Sequence, residues 1–371
     1  MTERGSLLPW VAPGLPQILR GRRWKGTGAL LLWAFLVSVA VLRFDRVIAA
    51  FAGPWDHTLA LATLIACGLG LQMWSLREQR RPAVPLVGRS RSQWRLAWDA
   101  FARNRVALAG LVTVAFLYLL ALLTPLIAPY DPAVQNDLVA ERMLGPSGTY
   151  LLGTDQFSRD ILSRLLYGAR VSLTIGFVAV GISITIGTLL GAIAGYVGGR
   201  VDTVLMRLVD MVLSIPRLVL LIAIIALFEP SIFLIIAVLG LTQWPQTTRI
   251  VRGEVLSLRE RDFVQAGRAL GFSGPRLVLR HLIPNALAPV IVAATLGIGD
   301  TIVLEAGLSF LGLGVQPPTP SWGTMVADGR DNLLGAWWVS TFPGLTIVLA
   351  VLAFNLAGDG LRDALDPRLR S

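Results

Sequence analysis

Residues 171–197, "VSLTIGFVAVGISITIGTLLGAIAGYV", run for 27 positions without one charged side chain. A helix needs about 20 predominantly apolar residues to cross the hydrocarbon of a bilayer, and this segment is long enough to do so. A membrane β-barrel would instead show alternating strands of about 10 residues, and none is apparent. Within the run Gly187, Gly191 and Gly195, and just past it Gly199, recur four apart. Small residues at that spacing let another helix backbone come close, so packing accounts for the row. A special functional part for these glycines is the competing reading.

The rest of the chain has the same character. Hydrophobic residues make up 54% of its 371 positions and charged residues 15%, against about a quarter in soluble domains. Eight apolar runs are expected to span: 26–42, 58–76, 106–127, 171–197, 211–228, 232–247, 287–310 and 339–356. The fold class is therefore all-α, a polytopic membrane protein. The net charge of +10 is a matter of topology rather than a nucleic-acid footprint. With the N-terminus inside, 25 of the 33 Lys and Arg fall on the cytoplasmic side, which places both termini there. Cys67 is the single cysteine, and the histidines are His57 and His281. Disulfides and cysteine-based metal sites are excluded, and no metal site is expected. Arg43 follows the first run directly and no small-residue cleavage site does, so that run reads as an anchor, not a signal peptide.

Residues 1–90 read as a separate unit with two spans, ending in the basic linker "REQRRPAVPLVGRSRSQ" (77–93), whose prolines and arginines argue against regular structure. The following "WRLAWDAFARNR" puts Trp94, Ala97, Trp98 and Phe101 on one helical face, as in a helix lying in the membrane interface; an ordinary amphipathic core helix is the alternative. Between 128 and 170 lies the longest external segment.

The most polar insertion is "RDFVQAGRALGFSGPRLVLRHLIPNALAPVI", residues 261–291. A helix is expected over about 252–270, ended by Gly271 in the left-handed conformation. Ser273 and Gly274 can cap a second helix with Pro275 in its first turn. That helix runs to about Ile283, where Pro284 breaks or kinks it before the next span. Phe263, Val264, Ala266 and Leu270 give the hairpin an apolar side beside its arginines. Physics alone leaves two readings open: a docking knob for a soluble partner, or a solvated loop.

This insertion resembles the cytoplasmic loop of binding-protein-dependent ABC importer permeases. Their pattern is Glu-Ala-Ala, three residues, Gly, nine residues, then Ile-x-Leu-Pro. Here Gln265, Ala266 and Gly267 stand at the triplet, Gly271 follows, and His281, Leu282, Ile283 and Pro284 close it. Gln265, Gly267, His281 and Ile283 depart from the family's letters, and Gln265 carries no charge. "RHLIPN" (280–285), "GTDQFSRDILSRLLYGARVSL" (153–173, with Ser158 at a usual glycine), "EAGLSFLGLGVQPPTPSWGTM" (305–325) and "NLAGDGLRDALDPRLR" (355–370) resemble the dipeptide/oligopeptide/nickel subfamily, and its second permease in particular. The resemblance covers about 91–371 and implies the six-helix core of a type I ABC importer transmembrane domain, preceded by two extra N-terminal helices.

The resemblance further implies half of a translocation pathway for short peptides or related solutes in a bacterial or archaeal cytoplasmic membrane. Its partners would be a second permease, one or two cytoplasmic ABC ATPases and an extracytoplasmic solute-binding protein. No catalysis is expected here: a P-loop needs Gly-Lys before Ser or Thr, and the only lysine, Lys25, precedes Gly26. ATP and Mg would bind the partner ATPases. The docking residues would be Phe263, Gln265, Ala266, Gly267, Arg268, Gly271, His281 and Pro284. Gly153, Thr154, Asp155, Arg159, Asp160 and Arg164 would lie on the binding-protein side, where the other reading is an Asp–Arg staple of the segment. Asp300 and Glu305 are acids within a span, hence pathway candidates, and they support the rival of a proton-coupled secondary transporter. A non-transporting scaffold or sensor is a third reading.

Overall fold

The computed structural model describes residues 12–19, 23–51, 53–79, 93–135 and 137–365. Most of the basic linker and the last six positions lie outside the described residues. Regular structure among those described is helical, with one isolated bridge pairing Thr154 and Asp160. The chain divides into two compact units, Met1–Arg91 with Leu119–Pro129, and Ser92–Tyr118 with Tyr130–Ser371.

The first unit holds α1 (Leu15–Leu19), α2 (Arg23–Leu42), α3 (Phe44–Ala49) and α4 (Trp55–Gln79). Leu36, Val39, Ala60, Leu61, Leu64, Leu123 and Leu126 form its apolar core. Two polar ties accompany it. The buried Gln17 amide donates to Ser75 Oγ at 3.1 Å, and the Arg46 guanidinium donates to the carbonyls of Ala128 and Pro129. Carbonyls at a helix end have no partner within the helix, and a guanidinium supplies one.

The second unit contains α5 (Gln93–Phe101) and α6 (Arg105–Ile127) as far as Tyr118, then α7 (Ile161–Val197), α8 (Gly199–Ser214), α9 (Arg217–Ile225) and α10 (Ile232–Leu258). After these come α11 (Asp262–Ala269), α12 (Gly274–Leu277), α13 (Ile283–Phe310), α14 (Trp322–Gly329) and α15 (Trp338–Leu365). In α5, Ala97 and Phe101 are buried, Phe101 against Ala107 and Ala364, while Trp98 stays exposed and stacks on Phe101 at 5.9 Å.

Among the described residues six helices are long and apolar enough to cross a membrane, or seven if α8 and α9 count as one broken span. Two of the eight expected runs therefore need correction. Residues 211–228 do not make one helix: α8 and α9 meet at an 81° bend. The cause is Pro216, which has no N–H to donate and forces its predecessor out of the helical region. Ile215 accordingly sits at φ −92°, ψ 127°. Residues 232–247 are the front of a 27-residue helix whose apolar run is interrupted at Thr242, Gln243, Thr247 and Thr248. All four side chains are buried, so α10 hides its polar residues inside the bundle.

The glycine row explains where α10 packs. A Cβ built on Gly187 would lie 2.5 Å from Thr247 Cβ, one on Gly191 2.6 Å from the Thr248 carbonyl oxygen, and one on Gly195 2.9 Å from that of Arg252. The two helices therefore touch at three points, each about one turn from the next. Gly199 faces open space and is the turn residue at φ 54° that starts α8. The packing reading of the row is the geometry seen. Gly191→Ala should separate the helices and destabilise the unit by about 1–3 kcal/mol, read as a lowered thermal midpoint in detergent. Gly253→Ala, also in α10 but with nothing within 4 Å of its added Cβ, should leave that midpoint in place.

Candidate functional site

The expected hairpin is built, with two differences in its joints. The first arm is not one helix over 252–270: α10 stops at Leu258 and α11 restarts at Asp262. The intervening Arg259, Glu260 and Arg261 have no apolar side to bury. Arg259 instead donates from Nη1 to the Gly195 carbonyl at 3.1 Å, fixing the joint to the end of α7. The second difference lies at Pro284, which does not end the arm. Gly274 to Phe310 forms one continuous helical path, because residues Val278–Leu282 open into a π-turn just before the proline. The wider turn accommodates a residue that cannot donate and that crowds the preceding carbonyl. The Asn285 side chain donates to the His281 carbonyl at 2.6 Å.

Between the arms Gly271 takes φ 76°. Phe272 N–H donates to Gly267 O at 3.0 Å and Gly271 N–H to Arg268 O at 2.9 Å, the two bonds of a Schellman cap. Val264 and Gly267 are buried. Val264 joins Val251, Val255, Leu258, Leu282, Ala286 and Val290 in one apolar cluster. At Gly267, where the family pattern has alanine, a Cβ would sit 2.9 Å from Leu277 Cδ2 and 3.2 Å from the Phe272 ring. His281 stacks on Phe272 at 5.7 Å, and the Arg276 guanidinium covers the other ring contact at 4.2 Å. Phe263, Gln265, Ala266, Arg268, Gly271 and Pro284 are exposed. The docking candidates thus fall into a buried hinge set (Gly267 and the half-buried His281) and an open face.

At the far end of α7, about 55 Å away at 1.5 Å per residue, the Asp155–Arg164 residues make a buried polar network. Asp155 accepts from Arg159 Nε at 2.7 Å and from the backbone N–H of Phe157 and Arg159 at 2.8 and 3.0 Å. Arg164 Nε lies 3.4 Å from the same carboxylate. Both guanidiniums also reach Asp328 on α14, at 3.4 and 3.2 Å. Burial holds the Asp328 carboxyl above its ordinary range; Arg164 and Arg159 pull it down, and Asp155 adds to the rise. Asp160 accepts from Ser163 N–H at 2.8 Å and caps α7. Thr154 accepts from Leu144 N–H at 2.8 Å, and Gly153 (φ 84°) has no room for a side chain beside Trp338. Ser158, at the family's glycine position, adopts φ 57°. The left-handed conformation costs a non-glycine residue about 1–2 kcal/mol, and its hydroxyl offsets this by donating to Asp137 O at 2.9 Å. The geometry at this end is that of a staple.

Asp300 and Glu305 are not brought together. Glu305 is fully buried and accepts from Ser309 Oγ at 2.7 Å and Ser172 Oγ at 3.2 Å, which joins α13 to α7. Asp300 is exposed on another side of α13. Sequence reasoning missed three participants: Asp328, the serines around Glu305, and Arg217, which donates to Gln243 Oε1 at 3.1 Å. Asp328 had no local signal, since its partners lie more than 160 positions upstream. Gln243 did have one, as an amide inside an otherwise apolar run.

Comparison with known proteins places these features in context. Residues 187–371 match the family model described as binding-protein-dependent transport system inner membrane component. Residues 92–146 match the N-terminal TM domain of oligopeptide transport permease C. The chain is 44% identical over 280 residues to the dipeptide transport system permease protein of Alkalihalophilus pseudofirmus, covering 76% of this chain and 91% of that one. It is 46% identical over 278 residues to the di/tripeptide transport system permease protein of Pseudomonas aeruginosa, covering 74% and 92%. To the dipeptide transport system permease protein of Escherichia coli it is 47% identical over 277 residues, covering 74% and 92%.

Removing one member of a buried ion network leaves its partners uncompensated. Asp155→Ala should cost about 3–5 kcal/mol in thermal unfolding. Asp328→Ala should cost less, because that side chain is 26% exposed and water can replace it.

Proposed function

The chain belongs to the family of binding-protein-dependent transport system inner membrane components, the permeases of ABC importers, and from that premise we propose that it forms half of a translocation pathway for short peptides. The names of its relatives support the substrate class: those quoted carry dipeptides or di/tripeptides. The second half of the pathway is a different permease subunit. An extracytoplasmic solute-binding protein delivers the peptide, and one or two cytoplasmic ABC ATPases bind ATP and Mg and drive the cycle. In this assignment both termini are cytoplasmic, residues 1–90 are an extension, and 91–371 are the permease domain.

The observation that carries the reading is the two-faced hairpin. Val264 and Gly267 fix one side of α11 into the bundle, whereas Phe263, Gln265, Ala266, Arg268 and Gly271 remain exposed on the other. Apolar groups rimmed by arginine, on a helix that cannot rotate away, suit a groove on a soluble partner. Gln265 docks without the charge that the family's glutamate brings, so contact there rests on shape and amide hydrogen bonds. ATP-driven closure of two ATPases shifts the bundle between its inward- and outward-open states through this contact. The buried network at the other end of α7 shapes the surface that the binding protein meets.

Purification of the chain from its native membranes in mild detergent should bring a second permease and P-loop ATPases with it. Phe263→Glu, at an exposed position, should lower ATPase recovery by about tenfold or more, the effect of losing an interface anchor, and leave the second permease bound. Undiminished ATPase recovery would remove the hairpin from the docking role.

A further inference from the structure

Among the described residues, the second unit holds an arginine that no ion pair neutralises. Arg217 opens α9 immediately after the 81° bend, and it is half-buried. Its Nη2 donates to Gln243 Oε1 at 3.1 Å and lies 3.4 Å from the Leu239 carbonyl. Its Nε is buried with no hydrogen-bond partner. The Thr301 hydroxyl lies 3.1 Å from the same Gln243 Oε1, so α9, α10 and α13 meet in one polar cluster. Gln243 and Thr301 both sit well inside their helices, far from either end.

The neighbour of Thr301 is Asp300. Its carboxylate is exposed and near enough to attract Arg217, yet no ion pair joins the two. A charge facing lipid at mid-span costs about 2.5–3.5 kcal/mol even on insertion scales, so ionisable groups there face a water-filled cavity or a partner. The two opposite charges are thus not paired with each other, and a hydrogen-bond chain runs from Arg217 through Gln243 to Thr301, the residue next to Asp300. With Nη2 spent on Gln243 and Leu239, the guanidinium keeps one buried donor, Nε, without a partner.

We propose that Arg217 and Asp300 form a substrate site inside the pathway for a zwitterion, with Arg217 taking the carboxylate of a short peptide and Asp300 its terminal ammonium. Gln243 is the positioning residue that aims the guanidinium. Any short peptide carries this charge pair whatever its side chains, so the site accepts the class and leaves choice among members to the binding protein. The proposal rests on the peptide reading above.

The test uses the complete importer in proteoliposomes with alanyl-photoleucine, a photoactivatable dipeptide. In the unaltered complex, irradiation during turnover should label the peptides around Arg217 and Asp300. Arg217→Gln and Asp300→Asn should each lower uptake per ATP hydrolysed by about tenfold or more, the weight of a charged hydrogen bond. Arg217→Lys should retain more uptake than Arg217→Gln. The Arg217→Gln/Asp300→Asn double variant separates substrate binding from mutual neutralisation. If the substrate uses both charges, it transports worse than either single variant. If it recovers, the two residues serve only each other and the proposal fails. Unchanged uptake in Arg217→Gln, or a defect confined to Asp300→Asn, also overturns it, the latter assigning Asp300 to the partner permease. An unaltered complex that does not move the dipeptide overturns the peptide reading and this site with it.

Discussion

Direct backbone contact between α7 and α10 is the constraint on which the second unit depends. In hydrocarbon there is no hydrophobic gain from pairing two apolar helices, so association draws on dispersion and polar contacts at close range. Three glycines supply that range, bringing Thr247, Thr248 and Arg252 of α10 against α7. Once α10 is fixed there, its polar residues must face inward, and Gln243 arrives beside Arg217 and Thr301. The same contact fixes the end of α10, and Arg259 then ties the hairpin joint to Gly195.

The two ends of α7 meet different demands. At one, buried charges hold a long irregular segment to α14 through residues distant in sequence. Breaking such a network is costly, while forming it gains little over apolar packing, so its value lies in defining one arrangement. At the other end apolar packing holds one side of a short helix and leaves the opposite side open. The first end resists change, and the second presents a surface.

Apolar runs, the glycine row and the Gly271 turn were legible because each is local: a period, a spacing or a single residue's conformational freedom. The break at Pro216 was present in the letters but masked by the hydrophobicity of residues 211–228, which scores composition without regard to a missing N–H. Pro284 misled in the opposite sense. A π-turn absorbed it, and no residue pattern announces such a turn. The pairing of Arg159 and Arg164 with Asp328, and of Ser172 with Glu305, joins positions more than 130 apart, which no local pattern encodes. Gly267 was an unexplained departure in the sequence; Leu277 and Phe272 occupy the space that a methyl group would need.

The unbroken path from Gly274 to Phe310 makes the hairpin's second arm and the span a single rod. The one change in its hydrogen bonding is the π-turn at Val278–Leu282. Asp300 lies 18 residues beyond that turn, a separation of about 27 Å along a helix. On the proposed docking role, a push on the hairpin would reach Asp300 along this helix and change its spacing from Arg217.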